Sequence, residues 1–454
     1  MKATFFFFMH LINNSIYEKS ILILNTQKLN IMKKVSILLL SLVLIAGFSS
    51  CSDQIEETYT VNTPEYLSYE DLRSSFALKS AEAIRQPGKF YFKDDFIFIN
   101  EYQKGIHVVN NADPSNPEVL SFIEIPGNVD MAIKGDKLYA DSYIDLLTID
   151  ISDMNNIMEV DRDTNVFPYI IPEYELGILG EIDQSRGVVT GYKVTEKTQD
   201  VSDGGEAYRQ FPRWESSFFM MDGALSNNVS NTGTGQGGSM ARFTVFGDYL
   251  YAIDKASLNL FDVSEPANPE YNKRIPVSWE IETLFPYNQM LFIGARSGMF
   301  VYSLQDPSSP QFISQFRHAS ACDPVVVEGD YAYVTLRGGN LCGAIESQLE
   351  VIDISVIEYP ELLETYPMTE PYGLGIENEV LFLCDGKAGL KIYYANDPYA
   401  IDENMIAHYK DIDAYDVIPL GEVLLVIGED GLYQYDYSSL EDIQRLSYIP
   451  VYDN

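Results

Sequence analysis

The chain has 454 residues, with 67 acidic and 30 basic side chains and a formal net charge of −37. This charge argues against nucleic acid and anionic lipid surfaces as partners, because their phosphates would be repelled. A solvated acidic surface, a cationic ligand or bound calcium all stay open. The 32 Tyr, 24 Phe, 30 Gly and 21 Pro favour strands joined by tight turns, so we predict an all-β fold.

The amino-terminal region predicts export. Residues 32–50 are interpreted as a lipoprotein signal peptide, because two lysines precede an apolar run that ends in small residues before Cys51. The run is short for a permanent membrane span, although an uncleaved anchor is the alternative. Cys51 is therefore the predicted lipidation site. Residues 1–31 fit no part of a signal peptide, and we interpret them as a mis-assigned upstream start before Met32.

An internal repeat organises the rest of the chain. The second strand of each unit follows one pattern, and its starts lie 41, 112, 41, 41, 49 and 43 residues apart. The seven starts are Asp95, Asp136, Asp248, Gln289, Asp330, Glu379 and Glu422. Periods of this size are typical of propellers and solenoids.

Residues 240–278 show the unit most clearly. They contain four apolar segments, and a turn with two prolines, Pro266 and Pro269, separates the third from the fourth. Four antiparallel strands repeated radially make a β-propeller blade. We therefore predict a propeller of about seven four-stranded blades over residues 86–454, with eight blades as the alternative, after a linker at 51–85 that includes a helical-looking segment.

The repeats also carry a family resemblance. Third strands such as Leu349 to Ser355 and Leu258 to Ser264, with Asp-Pro-Ser turns after other strands, resemble the LVIVD-repeat lipoproteins of Bacteroidetes. The acidic residues after Cys51 resemble the export signals of those lipoproteins. The resemblance implies a β-propeller at the cell surface and assigns no reaction. We accordingly predict an outer membrane lipoprotein, exposed at the surface and bound to the membrane through its lipid anchor only.

The 112-residue interval holds an extra segment. We interpret residues 169–240 as an insertion, whereas a degenerate eighth blade is the alternative. Residues 233–238 match the glycine pattern of dinucleotide-binding loops, but a strand rather than a helix is predicted to follow them. No cofactor is therefore predicted, and the motif is interpreted as a connector.

The first strands of all blades are expected to begin around one channel mouth. The residues at that level are Lys89, Asp130, Arg242, Thr283, Pro324, Gly373 and Asp416. Three of them, Asp130, Arg242 and Asp416, are candidate catalytic groups because carboxylates beside a cation can perform acid–base chemistry. The alternative is that they are ordinary strand-end residues with solvated charges.

Cysteines and tryptophans complete the candidates. A disulfide between Cys322 and Cys342 is predicted for an exported chain, with buried thiols or a zinc site that includes His318 as alternatives. Otherwise no metal site is predicted. Trp214 in the insertion and Trp279 at the mouth could stack on a sugar or on a protein surface, and Arg242 at the mouth is a further candidate binding residue.

We therefore predict a non-catalytic scaffold that binds a protein or a glycan through the mouth loops and the insertion. The rival hypothesis from a different class is a propeller hydrolase or lyase, which would use the carboxylates at the mouth. An enzyme needs these groups to converge in an open pocket, whereas a scaffold is compatible with a filled channel.

Overall fold

The computed structural model describes residues 56–200, 236–317, 324–338 and 346–452. The chain divides into two compact units, Met1–Val61 with Glu196–Phe211, and Asn62–Thr195 with Pro212–Asn454. The second unit contains a ring of seven antiparallel sheets. Six of them have four strands in consecutive order, and the seventh has four consecutive strands with one further strand at each edge. The predicted β-propeller is confirmed, with seven blades in the part of the chain that the structure describes.

Two strands and a short helix precede the first two blades. Strand β1 is Glu56–Leu67, helix α1 is Tyr69–Ser74 and β2 is Ala77–Ser80. Blade 1 contains β3 (Pro87–Lys93), β4 (Phe96–Glu101), β5 (Gly105–Asn110) and β6 (Glu118–Glu124). Blade 2 contains β7 (Met131–Lys134), β8 (Lys137–Ser142), β9 (Asp145–Asp150) and β10 (Met158–Asp163).

The region after blade 2 contains β11 (Ile178–Leu179), a 3₁₀ turn at Gln184–Arg186, β12 (Val188–Asp200) and β13 (Gln236–Gly237). Blade 3 follows with β14 (Phe243–Phe246), β15 (Tyr249–Ile253), β16 (Ser257–Asp262) and β17 (Glu270–Pro276). Blade 4 contains β18 (Ile281–Tyr287), β19 (Met290–Ala295), β20 (Gly298–Ser303) and β21 (Gln311–Phe316).

The last three blades complete the ring. Blade 5 contains β22 (Val325–Glu328), β23 (Tyr331–Leu336), β24 (Gln348–Asp353) and β25 (Glu361–Pro367). Blade 6 contains β26 (Leu374–Glu377), β27 (Val380–Cys384), β28 (Leu390–Tyr394), a 3₁₀ turn at Asp402–Asn404 and β29 (Met405–Tyr409). Blade 7 contains β30 (Ala414–Leu420), β31 (Val423–Gly428), β32 (Gly431–Asp436) and β33 (Gln444–Pro450).

The insertion does not build an eighth blade in the described residues. Strands β11 and β12 flank β1 in a separate three-stranded sheet, and β13 pairs with the inner strand of blade 1. The predicted linker also contains regular structure. Helix α1 is shorter than the helical-looking segment, and β2 adds an outer strand to blade 1 by pairing with β6.

The blades form because their strands are apolar on both faces. The middle strands β4, β15, β19 and β31 are buried along most of their length, and each blade packs between two neighbours. Such strands are rich in aromatic and β-branched residues, which fill pleated, close-packed surfaces. The largest fully buried side chains include Tyr139, Tyr251 and Tyr333, which occupy one position in the second strands of blades 2, 3 and 5.

These tyrosines also join adjacent blades through hydrogen bonds. The Tyr139 hydroxyl donates to the carbonyl of Pro266 at 2.9 Å, and the Tyr251 hydroxyl donates to the carbonyl of Pro307 at 2.7 Å. In each case the acceptor lies in the turn after the third strand of the following blade. The hydroxyl of a core residue thereby fixes the angle between two sheets.

Tyr251→Phe is expected to lower the free energy of unfolding by about 1 kcal/mol, because it leaves a partly buried carbonyl without its donor. Chemical denaturation would measure this loss. Tyr271→Phe is the matched control, since Tyr271 is exposed on the outer strand of the same blade. Equal effects of the two changes would show that the bond between blades 3 and 4 contributes nothing.

Candidate functional site

The centre of the ring is filled by the protein's own chain. Residues 236–241, here called the channel segment, precede β14 and run antiparallel to β3, with Gln236 opposite Phe92 and Gly237 opposite Tyr91. Ser239 and Met240 are buried, at 0% and 1% exposure. A propeller can leave its central channel open. In this protein the six residues of the channel segment occupy it.

Four blades bind the channel segment. Lys89 of blade 1 donates from Nζ to the carbonyl of Met240 at 3.0 Å. Leu374 of blade 6 donates its N–H to Ser239 Oγ at 3.0 Å. Leu284 of blade 4 donates its N–H to the carbonyl of Ala241 at 2.8 Å, and Gln236 Nε2 donates to the carbonyl of Pro419 in blade 7 at 3.3 Å. These bonds satisfy polar groups that burial would otherwise leave without water.

Asp130 ties the end of the channel segment to blade 2. Its Oδ1 accepts the N–H of Met131 at 2.7 Å, and its Oδ2 accepts the N–H groups of Arg242 and Phe243, the latter at 3.1 Å. The carboxylate is 1% exposed. Burial raises the pKa of Asp130 to about 6, against the lowering influence of Lys89 and of these N–H donors.

This raised pKa predicts a pH dependence of stability. A buried acid with a folded-state pKa of about 6 and an ordinary value of 3.8 binds its proton more tightly when folded, so stability falls as pH rises from 4 to 6. The expected loss is about 3 kcal/mol. Denaturation curves across this range, for the wild type and for Asp130→Asn, would measure it. A parallel pH profile in the variant would contradict the assignment to Asp130.

Asp416 is also buried, but it lies at the contact between blades 6 and 7. A Cβ atom built on Gly373 would lie 2.3 Å from Asp416 Oδ1, so only glycine fits opposite this carboxylate. Gly373 also donates its N–H to the carbonyl of Tyr415 at 2.8 Å. Asp416 contributes to raising the pKa values of Tyr91 and Cys384, after their own burial.

The three candidate catalytic residues therefore have different surroundings. Asp130 contacts the backbone of Arg242 and not its guanidinium, which donates from Nη2 to the carbonyl of Ile253 at 3.4 Å. Asp130 and Asp416 are both enclosed, at 1% and 0% exposure. The structure thus brings Asp130 and Arg242 together through the main chain, in the role of strand anchoring.

Arg242 belongs instead to a polar group at the mouth. We call Tyr102, Asp141, Arg242 and Lys255 the mouth cluster; they come from blades 1, 2 and 3. Arg242 is near enough to lower the pKa values of Tyr102, Asp141 and Lys255 electrostatically. Burial is the larger influence on each: it raises the pKa of Tyr102 to about 12, raises that of Asp141 and lowers that of Lys255.

Asp141 is held in place by donors from the loop before β7. Its Oδ1 accepts the N–H groups of Val129 and Asp130 at 2.7 and 3.0 Å, and Nδ2 of Asn128 at 2.9 Å. This carboxylate therefore positions the loop that carries Asp130. Perturbed titratable groups at a concave end of a fold are typical of binding or catalytic sites.

Trp279 is displayed at the mouth end of blade 4, with 73% of its surface exposed. Its loop is fixed on both sides, because Val277 donates its N–H to Ala256 and Ile281 donates its N–H to Lys255, at 3.0 and 3.1 Å. An exposed indole on a loop held in this way can stack on a flat ligand with little loss of backbone entropy.

The insertion contributes a surface hollow of about 670 Å³. It is lined by Ile171 and residues 181–186, and Arg186 stacks on the ring of Tyr66 at 4.2 Å. The hollow is polar and open, so it offers a second place for a polar ligand within the predicted binding region.

Several predicted residues lie outside the described residues: Cys51, Trp214, His318, Cys322 and Cys342. Cys384 is a buried free thiol whose pKa is raised by burial. Among the residues that the structure does describe, no group of three or more His, Cys, Asp or Glu side chains could hold a metal ion. The same residues contain no helix that is long and apolar enough to cross a membrane.

Sequence reasoning missed Tyr102, Asp141 and Lys255. The sequence did contain a signal for such residues. The second strand of each blade ends at the mouth, and acidic residues recur at the ends of these strands. Glu101, for example, accepts the N–H groups of Arg85 and Gln86, and Asp385 accepts those of Thr369 and Glu370. The ends of the second strands are thus a better guide to the mouth than the starts of the first strands.

Comparisons with known proteins support the repeat. The sequence profile of the LVIVD repeat matches residues 237–275 and 319–367, which include the strands of blades 3 and 5. The predicted LVIVD repeat is confirmed there. No curated protein sequence is significantly similar to the chain.

Similar solved structures share little sequence with this chain. BamB from Moraxella catarrhalis is 8% identical, with 84% of this chain and 96% of that chain covered and a TM-score of 0.43. Sqt1 from Saccharomyces cerevisiae is 8% identical, with 86% and 89% covered and a TM-score of 0.46. The computationally designed Ika8 protein is 8% identical, with 83% and 92% covered and a TM-score of 0.47.

Proposed function

We propose that this protein is a lipid-anchored, surface-exposed outer membrane propeller of the Bacteroidetes type that binds a protein or a glycan at its mouth without catalysis. The observation that carries the proposal is the filled channel. The channel segment occupies the axis, and the carboxylate of Asp130 is used to anchor backbone N–H groups. What remains at the mouth is a polar cluster and an exposed tryptophan on a loop held by backbone hydrogen bonds, which suits recognition.

The proposed location at the cell surface is supported by the sequence of residues 32–57. An apolar run ends in small residues before Cys51, and an acidic segment follows. Metabolic labelling of cells with an alkyne fatty acid is expected to mark the full chain, and Cys51→Ser is expected to abolish the label. Protease treatment of intact cells should remove the protein. A labelled but fully protected protein would place it on the periplasmic side instead.

Binding and catalysis can be separated in one experiment. The full chain would be applied to an array of glycans and extracellular proteins, and every retained ligand would be examined by mass spectrometry after long incubation. We expect retention without chemical change, and Trp279→Ala should weaken it about tenfold, as loss of an aromatic anchor does. Tyr271→Asn is the control, because Tyr271 is an exposed aromatic residue of the outer strand β17 and belongs to no proposed binding surface.

Cleavage of a ligand would favour the hydrolase or lyase hypothesis. In that case the conservative changes Asp130→Asn, Arg242→Lys or Asp416→Asn should abolish turnover in variants that circular dichroism shows to be folded. Retention of every ligand that is unchanged by Trp279→Ala would move the binding site away from the mouth and contradict the proposal.

A further inference from the structure

The turns between third and fourth strands share one backbone geometry in all seven blades. In each turn the N–H of the residue at position 7 donates to the carbonyl of the residue at position 4, counted from the end of the third strand. The donor and acceptor pairs are Asn116 and Asp113, Asn156 and Asp153, Asn268 and Glu265, Ser309 and Asp306, Tyr359 and Val356, Ala400 and Asp397, and Asp442 and Ser439. The seven turns can therefore be compared position by position.

Blades 5 and 6 depart from the composition of the other turns. Position 4 is Asp, Glu or Ser in six blades but Val356 in blade 5, and position 7 is Asn, Ser, Asp or Ala elsewhere but Tyr359 in blade 5. Blade 6 places Tyr399 between the same two positions. These three side chains are 54%, 74% and 63% exposed. The turn geometry does not require them, because polar residues make the same turn in the other blades.

Further apolar residues surround these turns. Tyr394 begins the blade 6 turn, and Phe312, Leu362 and Met405 lie within the first two residues of the outer strands of blades 4, 5 and 6. Their exposed fractions run from 45% to 57%. We call these seven residues the rim patch: Phe312, Val356, Tyr359, Leu362, Tyr394, Tyr399 and Met405. Exposed apolar patches of this kind mark interaction sites in soluble proteins.

The rim patch is held rigid by bonds between blades. Ser314 of blade 4 donates from Oγ to the carbonyl of Ile357 at 2.5 Å. Tyr366 of blade 5 donates its hydroxyl to the carbonyl of Pro398 at 2.6 Å, and the same oxygen accepts the N–H of Ile401 at 3.3 Å. The turns of blades 5 and 6 are thus each bonded to the outer strand of the preceding blade, so a partner loses little free energy in ordering them.

The charged residues that neighbour the rim patch in the sequence are all acidic. Residues 303–312, 353–362 and 394–405 contain no Lys, Arg or His. Their charged residues are Asp306, Asp353, Glu358, Glu361, Asp397, Asp402 and Glu403. Hydrogen bonds from Ser355 lower the pKa of Asp353, which favours its charged form. An apolar surface bordered in this way is complementary to an apolar surface bordered by cations.

We propose that the rim patch docks a protein whose contact surface presents apolar side chains bordered by Lys and Arg. A second copy of this chain would bring two acidic borders together, and an anionic membrane would likewise be repelled. The patch lies at the opposite end of the blades from the mouth. The inference is therefore independent of the ligand proposed for the mouth, and together the two surfaces would make the propeller a bridge.

The test uses a photo-crosslinking benzoylphenylalanine in place of Tyr399, in the full chain made in its own cells. We expect one protein adduct, and its crosslinked peptide should be rich in Lys or Arg. Val356→Asp with Tyr359→Asn gives blade 5 the residues of other turns and should keep the fold. This double variant is expected to reduce the adduct about tenfold, as loss of two exposed anchors would. Glu358→Lys with Glu361→Lys should also reduce it.

The control places the same photo-crosslinking group at Trp279, where a different adduct or none is expected. An adduct with a second copy of this chain, with a glycan or with lipid would overturn the proposal, as would an adduct that survives the double variant. Absence of an adduct at Tyr399 would also overturn it. A failure of this kind leaves binding at Trp279 unaffected, so the two proposals can fail separately.

Discussion

Asp130→Ala is expected to be among the most destabilising single substitutions in the ring. It removes the acceptor of three buried N–H groups, those of Met131, Arg242 and Phe243. Each buried donor that loses its partner costs about 1–3 kcal/mol, so the total loss should be roughly 3 kcal/mol or more. Because the same carboxylate fixes the start of β14, blade 3 should lose its register as well. Urea denaturation and thermal unfolding would measure the effect.

Asp113→Ala is the matched control for this substitution. Asp113 also accepts a backbone N–H, that of Ser115 at 3.0 Å, but it lies exposed in a turn of blade 1. Water replaces an exposed acceptor, so the expected loss is below about 1 kcal/mol. Similar losses for the two variants would mean that burial of Asp130 does not decide its importance.

Gly237→Val is expected to expel the channel segment or unfold the ring. A Cβ atom at this position would lie 2.4 Å from the ring of Tyr91, which is itself buried between blades. A close-packed interior cannot absorb such an overlap without moving the backbone, and overpacking of this kind costs about 1–3 kcal/mol or more. Limited proteolysis with mass spectrometry would show new cleavage within residues 236–241.

Gly191→Val provides the comparison for this change. Gly191 lies in β12 and has no heavy atom within 4 Å of its Cβ position, so the same substitution should leave stability nearly unchanged. If Gly237→Val left both the unfolding midpoint and the cleavage pattern as in the wild type, the channel segment would be loosely held and would no longer support the proposal of a non-catalytic protein.

Most of the ring was predictable because it is built from local, repeated patterns. The starts at Asp95 and Glu422 mark the first and last blades, and the structure places β4 and β31 one residue after them. Tyrosines and prolines at fixed intervals reflect contacts between neighbouring blades, which recur with the period of the repeat. Seven blades follow from seven such starts, once the long interval is assigned to an insertion.

The channel segment could not be predicted, because its contacts are not repeated. Gln236 reaches Pro419 across 183 positions of sequence, and Leu374 reaches Ser239 across 135. An alignment of the repeats assigns each residue to a strand of a blade. It therefore cannot identify a segment that lies in the central channel. The glycine-rich pattern at 233–238 was interpreted as a connector. At Gly237, which the structure describes, the requirement for glycine is steric, because a Cβ atom there would meet the ring of Tyr91.

The candidate site was predicted only in part for a related reason. Arg242 and Trp279 were predicted as binding residues because the repeat register places them near the mouth, and their role in binding stays a prediction. Lys255 and Tyr102 lie in turns whose lengths differ between blades, so no register position identifies them. The rim patch needed the structure as well, since the hydrogen bond shared by all seven turns is what makes Val356 and Tyr359 comparable with their polar counterparts.

The channel segment also changes how the repeats depend on one another. In a chain of stacked repeats each unit contacts only its neighbours, so stability is close to a sum of local terms and the ends can fray. Here one short segment is bonded to blades 1, 4, 6 and 7 at once. Blades on opposite sides of the ring therefore bond to the same segment. We expect this shared contact to make the seven sheets unfold cooperatively.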